Sequence, residues 1–219
     1  MKTHIYFVPG LGANSKIFKY INLPKDKYES HFLEWIIPTS IDESISDYAR
    51  RMCETISEKN VVLVGVSFGG IMVQEMSKHI HPKKIFLISS VKTKNELPSR
   101  MAFTRMSKSY KLFPASHINR IEKTLIKIFG EKAKKMAQRY NDFLSVRDPR
   151  YLKWAIKNVV IWPQTEAIPN ITHIHGDADG IFPIKNINDC IVIKRTGHIM
   201  MTLKKGKTIS TIINDTLTE

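Results

Sequence analysis

Short apolar runs alternate with amphipathic stretches at the beginning of the chain and again toward its end. Apolar runs bounded by turn residues are typical of strands covered on both faces, whereas apolar positions three or four residues apart are typical of helices. Strands are predicted at residues 4–8, 31–36, 61–64, 85–88, 171–175 and 190–193. The alternation predicts an α/β fold with a mainly parallel, doubly wound sheet of about six strands.

Helical periodicity marks the segments between these strands. Residues 41–56 carry apolar side chains that would share one helical face, and Ser40 and Glu43 have the spacing of a capping box at its start. Shorter helices are predicted at residues 15–20, 71–80 and 208–217.

Residues 92–165 interrupt the parallel pattern with a segment that is helical throughout. Two helices are predicted between residues 116 and 146, and Asp148 followed by Pro149 predicts the start of a third, which ends near Trp162. The predicted domains are a core, residues 1–91 and 166–219, and an inserted helical segment, residues 92–165.

The composition is that of a globular protein. Of the 219 residues, 42% are hydrophobic and 25% are charged, which excludes disorder along the whole chain. No apolar run approaches the roughly 18 residues of a membrane span, and the first run is too short for a signal peptide. Cys53 and Cys190 form no C-x-x-C pair, and we interpret them as free thiols of a reduced, cytoplasmic protein.

Positive charge is concentrated in the inserted helical segment. Residues 92–165 contain 17 Lys and Arg against 5 Asp and Glu, a net charge of +12, and the whole chain carries +14. Such a surface fits a nucleic acid, a solvated helical face or an anionic partner. Because the segment lacks the interleaved aromatic residues of a nucleic-acid module, we expect no nucleic-acid partner.

Gly65, Ser67 and Gly69 form a G-x-S-x-G motif between a predicted strand and a predicted helix. A sharp strand-to-helix turn projects the serine hydroxyl away from the sheet, and the flanking glycines remove Cβ atoms that would clash in that turn. The N-terminus of the next helix offers free N–H groups to the oxyanion of an acyl-transfer intermediate. Ser67 is therefore a candidate nucleophile.

A serine nucleophile needs a base and an acid that orients the base, and both residue types follow late strands. Asp177 and Asp179 come after the strand at 171–175, and His198 follows the last strand. Either carboxylate could serve as the acid. His173 and His175 would share one strand face, but no third residue has the spacing of a metal ligand, so we interpret them as structural.

Four segments together resemble the α/β-hydrolase family. They are Pro9-Gly10-Leu11-Gly12, the G-x-S-x-G motif, Gly176-x-x-Asp179 with Pro183 after it, and Thr196-Gly197-His198. Their order is that of the family, and the match spans nearly the whole chain. The resemblance implies a sheet without the family's first two antiparallel strands, and a cap over the nucleophile at residues 92–165.

The resemblance also implies a role for each matching residue. Ser67 would attack an acyl carbonyl, and His198 would take the proton of its hydroxyl. The spacing from Gly176 favours Asp179 as the residue that orients the imidazole, with Asp177 as the alternative.

The backbone N–H groups of Leu11 and Phe68 would hold the oxyanion, as the corresponding groups do in the family. Pro9 departs from the family, in which His often precedes this glycine, so the sequence leaves open what supports the loop.

The implied activity is hydrolysis of a small or medium carboxylic ester through an acyl-enzyme, which needs no cofactor or metal. A thioesterase, a lyase and a non-catalytic protein are the alternatives within the same fold. The basic cap would suit an anionic acyl carrier, such as coenzyme A or an acyl carrier protein. Candidate pocket residues are Met101, Phe103, Met106, Tyr110, Phe113, Phe143 and Trp154.

Overall fold

A single parallel sheet organises the computed structural model, which describes residues 2–112 and 146–218. The strands are β1 (Thr3–Val8), β2 (Tyr28–Phe32), β3 (Val61–Val66), β4 (Lys84–Ile88), β5 (Ile171–Gly176) and β6 (Ile191–Ile193). Their order is β2-β1-β3-β4-β5-β6, and every neighbouring pair is parallel. The predicted fold class is confirmed.

Alternate residues of each central strand face opposite sides of the sheet, which gives the protein two buried layers. On β1, Tyr6 and Val8 belong to the first layer, whereas Ile5 and Phe7 belong to the second. All six residues of β3 are buried, since helices cover both faces of the sheet. This is why β3 appears in the sequence as a continuous apolar run rather than an alternating one.

The described residues form five α-helices. They are α1 (Ile45–Cys53), α2 (Phe68–Met76), α3 (Ser99–Ser107), α4 (Pro149–Ile161) and α5 (Leu203–Thr218). Buried side chains of α1, α2 and α4 complete the first layer, and those of α5 complete the second. Within the described ranges, none of these helices combines the length and apolarity needed to cross a membrane.

The edge strand β2 begins and ends earlier than predicted, because it pairs with β1 only from Tyr28 to Phe32. Residues 33–36 leave the sheet and turn toward the first layer. There Trp35 is buried, and its indole N–H donates a 2.9 Å hydrogen bond to the carbonyl of Gly10. The predicted strand at 31–36 was therefore wrong over most of its length, since its apolar side chains cover the core instead of extending the sheet.

Helix α1 begins at Ile45, one turn later than predicted. The Ser44 hydroxyl accepts a hydrogen bond from the N–H of Asp47 (3.0 Å) and donates one to its carboxylate (2.6 Å). The carboxylate of Glu43, the predicted capping acid, instead accepts from the N–H of Thr39 (2.6 Å). The sequence thus contains two successive capping pairs, Ser40 with Glu43 and Ser44 with Asp47, and the helix begins after the second.

Helix α4 begins where the sequence predicts. The carboxylate of Asp148 accepts hydrogen bonds from the N–H groups of Arg150 (2.8 Å) and Tyr151 (2.9 Å), and Pro149 occupies the first turn. Trp154 is fully buried in the first layer. The two helices predicted between residues 116 and 146, and the candidate pocket residues Phe113 and Phe143, lie outside the described residues.

Candidate active site

Ser67 occupies the turn between β3 and α2 in an unusual backbone conformation. Its φ of 55° and ψ of −118° are sparsely populated by residues with a side chain and cost about 1–3 kcal/mol. Its N–H donates to the carbonyl of Ile88 (2.9 Å). Its carbonyl accepts from the N–H of Gly70 (2.9 Å) and from the hydroxyl of Ser90 (2.7 Å). Neighbouring elements thus hold the strained turn in place.

Gly69 is required by the close approach of α2 to the end of β1. A Cβ atom at this position would collide with the carbonyl oxygens of Val8 and Pro9. The same approach brings the loop after β1 beside the nucleophile turn, so that a Cβ atom built on Gly10 would lie 3.5 Å from the Cβ of Ser67.

His198 lies between Ser67 and Asp179 and is within hydrogen-bond distance of both. Its Nε2 is 2.9 Å from the Oγ of Ser67, and its Nδ1 is 2.8 Å from the Oδ2 of Asp179. The three side chains follow β3, β5 and β6, whose carboxyl ends meet at one edge of the sheet. A neutral imidazole with its proton on Nδ1 donates to Asp179 and accepts from the Ser67 hydroxyl. His198 can therefore act as a general base and accept the proton of the Ser67 hydroxyl.

The Asp179 side chain is fully buried yet held in its ionised form. Its Oδ1 accepts hydrogen bonds from the N–H groups of Ile181 (2.8 Å) and Phe182 (2.9 Å). Burial raises the pKa of this carboxyl, but the hydrogen bond and charge of His198 and the two N–H groups outweigh burial and lower the pKa below its ordinary value. A charged Asp179 fixes the proton of His198 on Nδ1.

Asp177, the alternative acid, has a different partner. Its Oδ1 accepts a hydrogen bond from the N–H of Thr196 (3.1 Å), and the N–H groups of Arg195 and Thr196 lower the pKa of its carboxyl. It ties the turn after β5 to the loop that precedes His198. The structure brings Asp179, rather than Asp177, to the imidazole.

A cavity of about 350 Å³ opens beside Ser67 and His198. Its other lining residues are Gly10, Leu11, Ala13, Ile17, Val66, Ile181, Ile199, Met200 and Met201. None of these residues is an acid, a lysine or an arginine. These lining residues come from the end of β3 and from the segments that follow β1, β5 and β6. They include none of the described candidates from the predicted cap, which are Met101, Phe103, Met106, Tyr110 and Trp154.

Sequence comparison finds no matching protein-family model and no matching curated protein, but solved structures match over almost the entire chain. A carboxylesterase from the thaumarchaeon Nitrososphaera gargenis has a TM-score of 0.69 at 13% identity, covering 99% of this chain and 90% of that one. A bromoperoxidase from Bacillus anthracis has a TM-score of 0.63 at 15% identity, covering 100% and 93%. The chain has the α/β-hydrolase fold.

A third neighbour shows how widely the chemistry of α/β-hydrolase-fold proteins varies. It is 2-hydroxy-6-oxo-6-phenylhexa-2,4-dienoate hydrolase from Rhodococcus sp. strain RHA1, with a TM-score of 0.61 at 12% identity, covering 100% of this chain and 91% of that one. The shared fold therefore does not fix the reaction, which has to be argued from the site.

In this α/β-hydrolase fold, Trp35 supports the loop in which Pro9 stands where His often occurs. Besides its hydrogen bond to the Gly10 carbonyl, its ring stacks on Phe68 with centroids 5.1 Å apart. Leu11 follows Gly10 and lines the cavity, and Phe68 follows Ser67 as the first residue of α2. A single indole thus contacts both segments that carry the predicted oxyanion donors.

Two buried histidines support the turn that carries Asp179. The Nε2 of His175 is 2.8 Å from the carbonyl oxygen of Phe182 and 3.4 Å from the Oδ2 of Asp179. Its Nδ1 is 3.2 Å from the Nε2 of His173. With both rings neutral, His173 donates to His175, and His175 donates to Phe182. Burial, followed by the proximity of His175 and Lys92, lowers the pKa of His173 to about 3.

Trp35 and Ser90 are the supporting residues that sequence reasoning missed. Each comes from a part of the chain distant from the residue that it supports, so no local motif marks it. The available signals were weak: an apolar run just before Pro38, and two serines directly after the apolar strand β4. His175, which the sequence indicated only as a structural residue, lies four residues before Asp179.

Proposed function

We propose that the protein is a serine hydrolase that cleaves small or medium carboxylic esters through an acyl-enzyme intermediate. The observation that carries the proposal is the pair of hydrogen bonds made by His198, at 2.9 Å to Ser67 and 2.8 Å to Asp179. A protein that only bound its ligand would have no need of a nucleophile, a base and a buried acid in this order.

In the acylation step, the Oγ of Ser67 bonds to the ester carbonyl carbon while its proton passes to the Nε2 of His198. Ionised Asp179 stabilises the resulting imidazolium. The N–H groups of Leu11 and Phe68 donate to the oxyanion, and losing one such donor costs about 3–4 kcal/mol of transition-state stabilisation. When the intermediate collapses, the bond to the alcohol oxygen breaks, and His198 gives its proton to the leaving alcohol.

Deacylation uses the same groups on water. His198 takes a proton from water as the water oxygen attacks the acyl carbon, and a second oxyanion forms. The bond to Ser67 then breaks, His198 returns the proton to its Oγ, and the carboxylic acid leaves. The cycle consumes one ester and one water and requires neither a cofactor nor a metal.

The cavity supports an uncharged, apolar acyl group as the substrate portion held next to Ser67. Its volume of about 350 Å³ is at the lower end of the range for small-molecule sites, and its lining includes Ile17, Val66, Met200 and Met201. Among the described residues, no acid, lysine or arginine lines the cavity, so a charged acyl group would lose its hydration there without compensation.

We propose that residues 92–165 act as a cap over this cavity. One contact of the described part supports this role: the guanidinium of Arg100 in α3 donates to the carbonyls of Gly180 (2.9 Å) and Ile181 (2.6 Å). Ile181 lines the cavity, so α3 is connected to the cavity rim.

The alternative substrate is a thioester of an anionic carrier, because residues 92–165 carry a net charge of +12. In that case kcat/KM for an acyl-CoA falls between low and moderate salt, whereas kcat/KM for a neutral ester does not.

No nucleic-acid partner is proposed. The free thiols of Cys53 and Cys190 support a reduced, cytoplasmic location, because disulfides are rare there.

A substrate series tests the proposal directly. p-Nitrophenyl esters from acetate to decanoate are assayed beside acyl-CoA thioesters of the same chain lengths, with wild type and Ser67→Ala in parallel. We expect hydrolysis of short and medium esters by the wild type and its loss in the variant. Turnover that is equal in the two proteins, or absent from both for every substrate, would contradict it.

A further inference from the structure

Three potential metal ligands meet at the edge of the sheet, at the end of β1 opposite the active site. His4 lies in β1, and Glu29 and His31 lie in the edge strand β2. The parallel register pairs His4 with Glu29 and Tyr6 with His31. Because residues two apart in a strand share a face, the three side chains project from the same side of the sheet.

The ligand atoms of these residues are already close together. The Nδ1 of His4 is 3.0 Å from the Nε2 of His31 and 3.9 Å from the Oε2 of Glu29, and all three atoms lie within 4.8 Å of one another. Two ligands of a tetrahedral zinc ion, with bonds of about 2.0–2.1 Å, lie roughly 3.3 Å apart. The imidazoles therefore need only a slight separation, and the half-exposed Glu29 is free to move inward.

Stacking holds the His31 ring in this position. Its centroid is 4.4 Å from that of Tyr6, with the planes 11° apart, and 5.2 Å from that of His4. A ring held by its neighbours loses little freedom when its nitrogen binds a metal, which favours binding.

The local charge also suits a cation, although the protein is basic overall. Beside the carboxylate of Glu29, the carboxylate of Glu58 accepts a hydrogen bond from the Tyr6 hydroxyl, and Tyr6 stacks on His31. Without a metal, the two imidazole nitrogens have to share one proton across 3.0 Å. A divalent ion would replace that proton and accept both lone pairs.

We propose that His4, Glu29 and His31 form a binding site for Zn²⁺, with water as the fourth ligand. Two imidazoles and one carboxylate are a donor set that zinc prefers and magnesium does not. The ion would link β1 to the edge strand β2 and stabilise the pairing that holds this edge of the sheet. The site is separate from Ser67 and does not depend on the proposed hydrolase activity.

Calorimetric titration of the chelator-treated, full-length protein with Zn²⁺ tests the proposal. We expect one saturable site per chain and a rise in Tm of about 5 °C or more at a Zn²⁺ concentration hundredfold above Kd. His31→Ala removes both effects. His81→Ala, which removes an exposed histidine outside the cluster, leaves both effects unchanged.

Glu29→Gln provides a second variant that is safe for folding, because this side chain is 54% exposed. It is expected to weaken Zn²⁺ binding by at least tenfold while leaving the Tm of the metal-free protein unchanged. The proposal is overturned if the wild type shows no saturable site, if both cluster variants bind Zn²⁺ as the wild type does, or if Mg²⁺ competes with Zn²⁺ at equal concentration.

Discussion

The indole N–H of Trp35 donates a 2.9 Å hydrogen bond to the carbonyl of Gly10, and through this bond the loop after β1 is anchored to the first buried layer. The Gly10 carbonyl also accepts from the N–H of Ala13 (3.0 Å). These two donors fix the orientation of the peptide that joins Gly10 to Leu11. Because the N–H of that peptide is a proposed oxyanion donor, Trp35 is a positioning residue in the proposed mechanism.

Trp35→Phe is expected to lower kcat by up to about tenfold with little change in KM, since one positioning hydrogen bond is worth about 0.5–1.5 kcal/mol and acts on the transition state. Trp154→Phe is the matched control, because its indole N–H donates to the carbonyl of Glu43 (2.8 Å), outside this loop. Steady-state ester hydrolysis separates the two variants. Equal effects on kcat would show that Trp35 acts only through general stability.

Asp179→Asn is expected to lower kcat by about 10⁴-fold, because an amide favours the wrong tautomer of His198 and does not stabilise its charged form. Asp177→Asn, two residues earlier, keeps an oxygen for the N–H of Thr196 and should remain within a few-fold of the wild type. Comparing kcat of the two variants shows which aspartate orients His198, and circular dichroism checks that both variants fold. A reversed order of effects would make Asp177 the acid.

Ser90→Ala is expected to lower the free energy of unfolding by about 1 kcal/mol and kcat by several-fold, since it removes the hydroxyl that bonds to the strained Ser67 carbonyl. Ser89 is an adjacent control, equally buried, whose Oγ has no hydrogen-bond partner among the described residues. Ser89→Ala should leave activity unchanged. Urea unfolding and ester hydrolysis measure both quantities, and identical behaviour of the two variants would refute this role of Ser90.

His173 makes stability depend on pH on the acid side of neutrality. Its pKa is about 3 in the folded chain against an ordinary 6.5, so between these values only the unfolded chain binds this proton. The free energy of unfolding therefore falls as the pH drops below 6.5, by up to about 1.4 kcal/mol per pH unit.

Between pH 7 and pH 5 the wild type should thus lose about 2 kcal/mol more stability than His173→Asn, which keeps an N–H donor for His175. Urea unfolding at the two pH values measures this difference. Equal losses in the two proteins would show that His173 is not the titrating group.

The sequence predicted the centre of the sheet better than its edge. β3 and β4 are covered on both faces, so each appears in the sequence as a continuous apolar run that identifies it as a buried strand. β2 carries polar residues in its middle, and the apolar run after it packs on the core, so hydrophobicity alone indicated the wrong boundaries. Only the pairing with β1 sets where this strand begins and ends.

The candidate site shows the same division between local and long-range information. Ser67, Asp179 and His198 could be singled out because each follows a strand in a turn with its own local chemistry. The partner of Asp177 and the contacts of Trp35 depend on how distant loops meet, which one sequence does not contain. The Zn²⁺ site proposed at His4, Glu29 and His31 likewise arises from strand pairing, not from spacing within a motif.

Covalent labelling of Ser67 by a fluorophosphonate tests the central claim most directly, because such a probe reacts only with a serine whose hydroxyl is activated by a neighbouring base. Peptide mass spectrometry after labelling should show one probe per chain on Ser67, and none in Ser67→Ala. His198→Gln, which removes the base beside the Ser67 hydroxyl, should label far more slowly, with circular dichroism to check its folding. A wild-type protein that stays unlabelled, or one labelled equally fast without His198, would contradict the account.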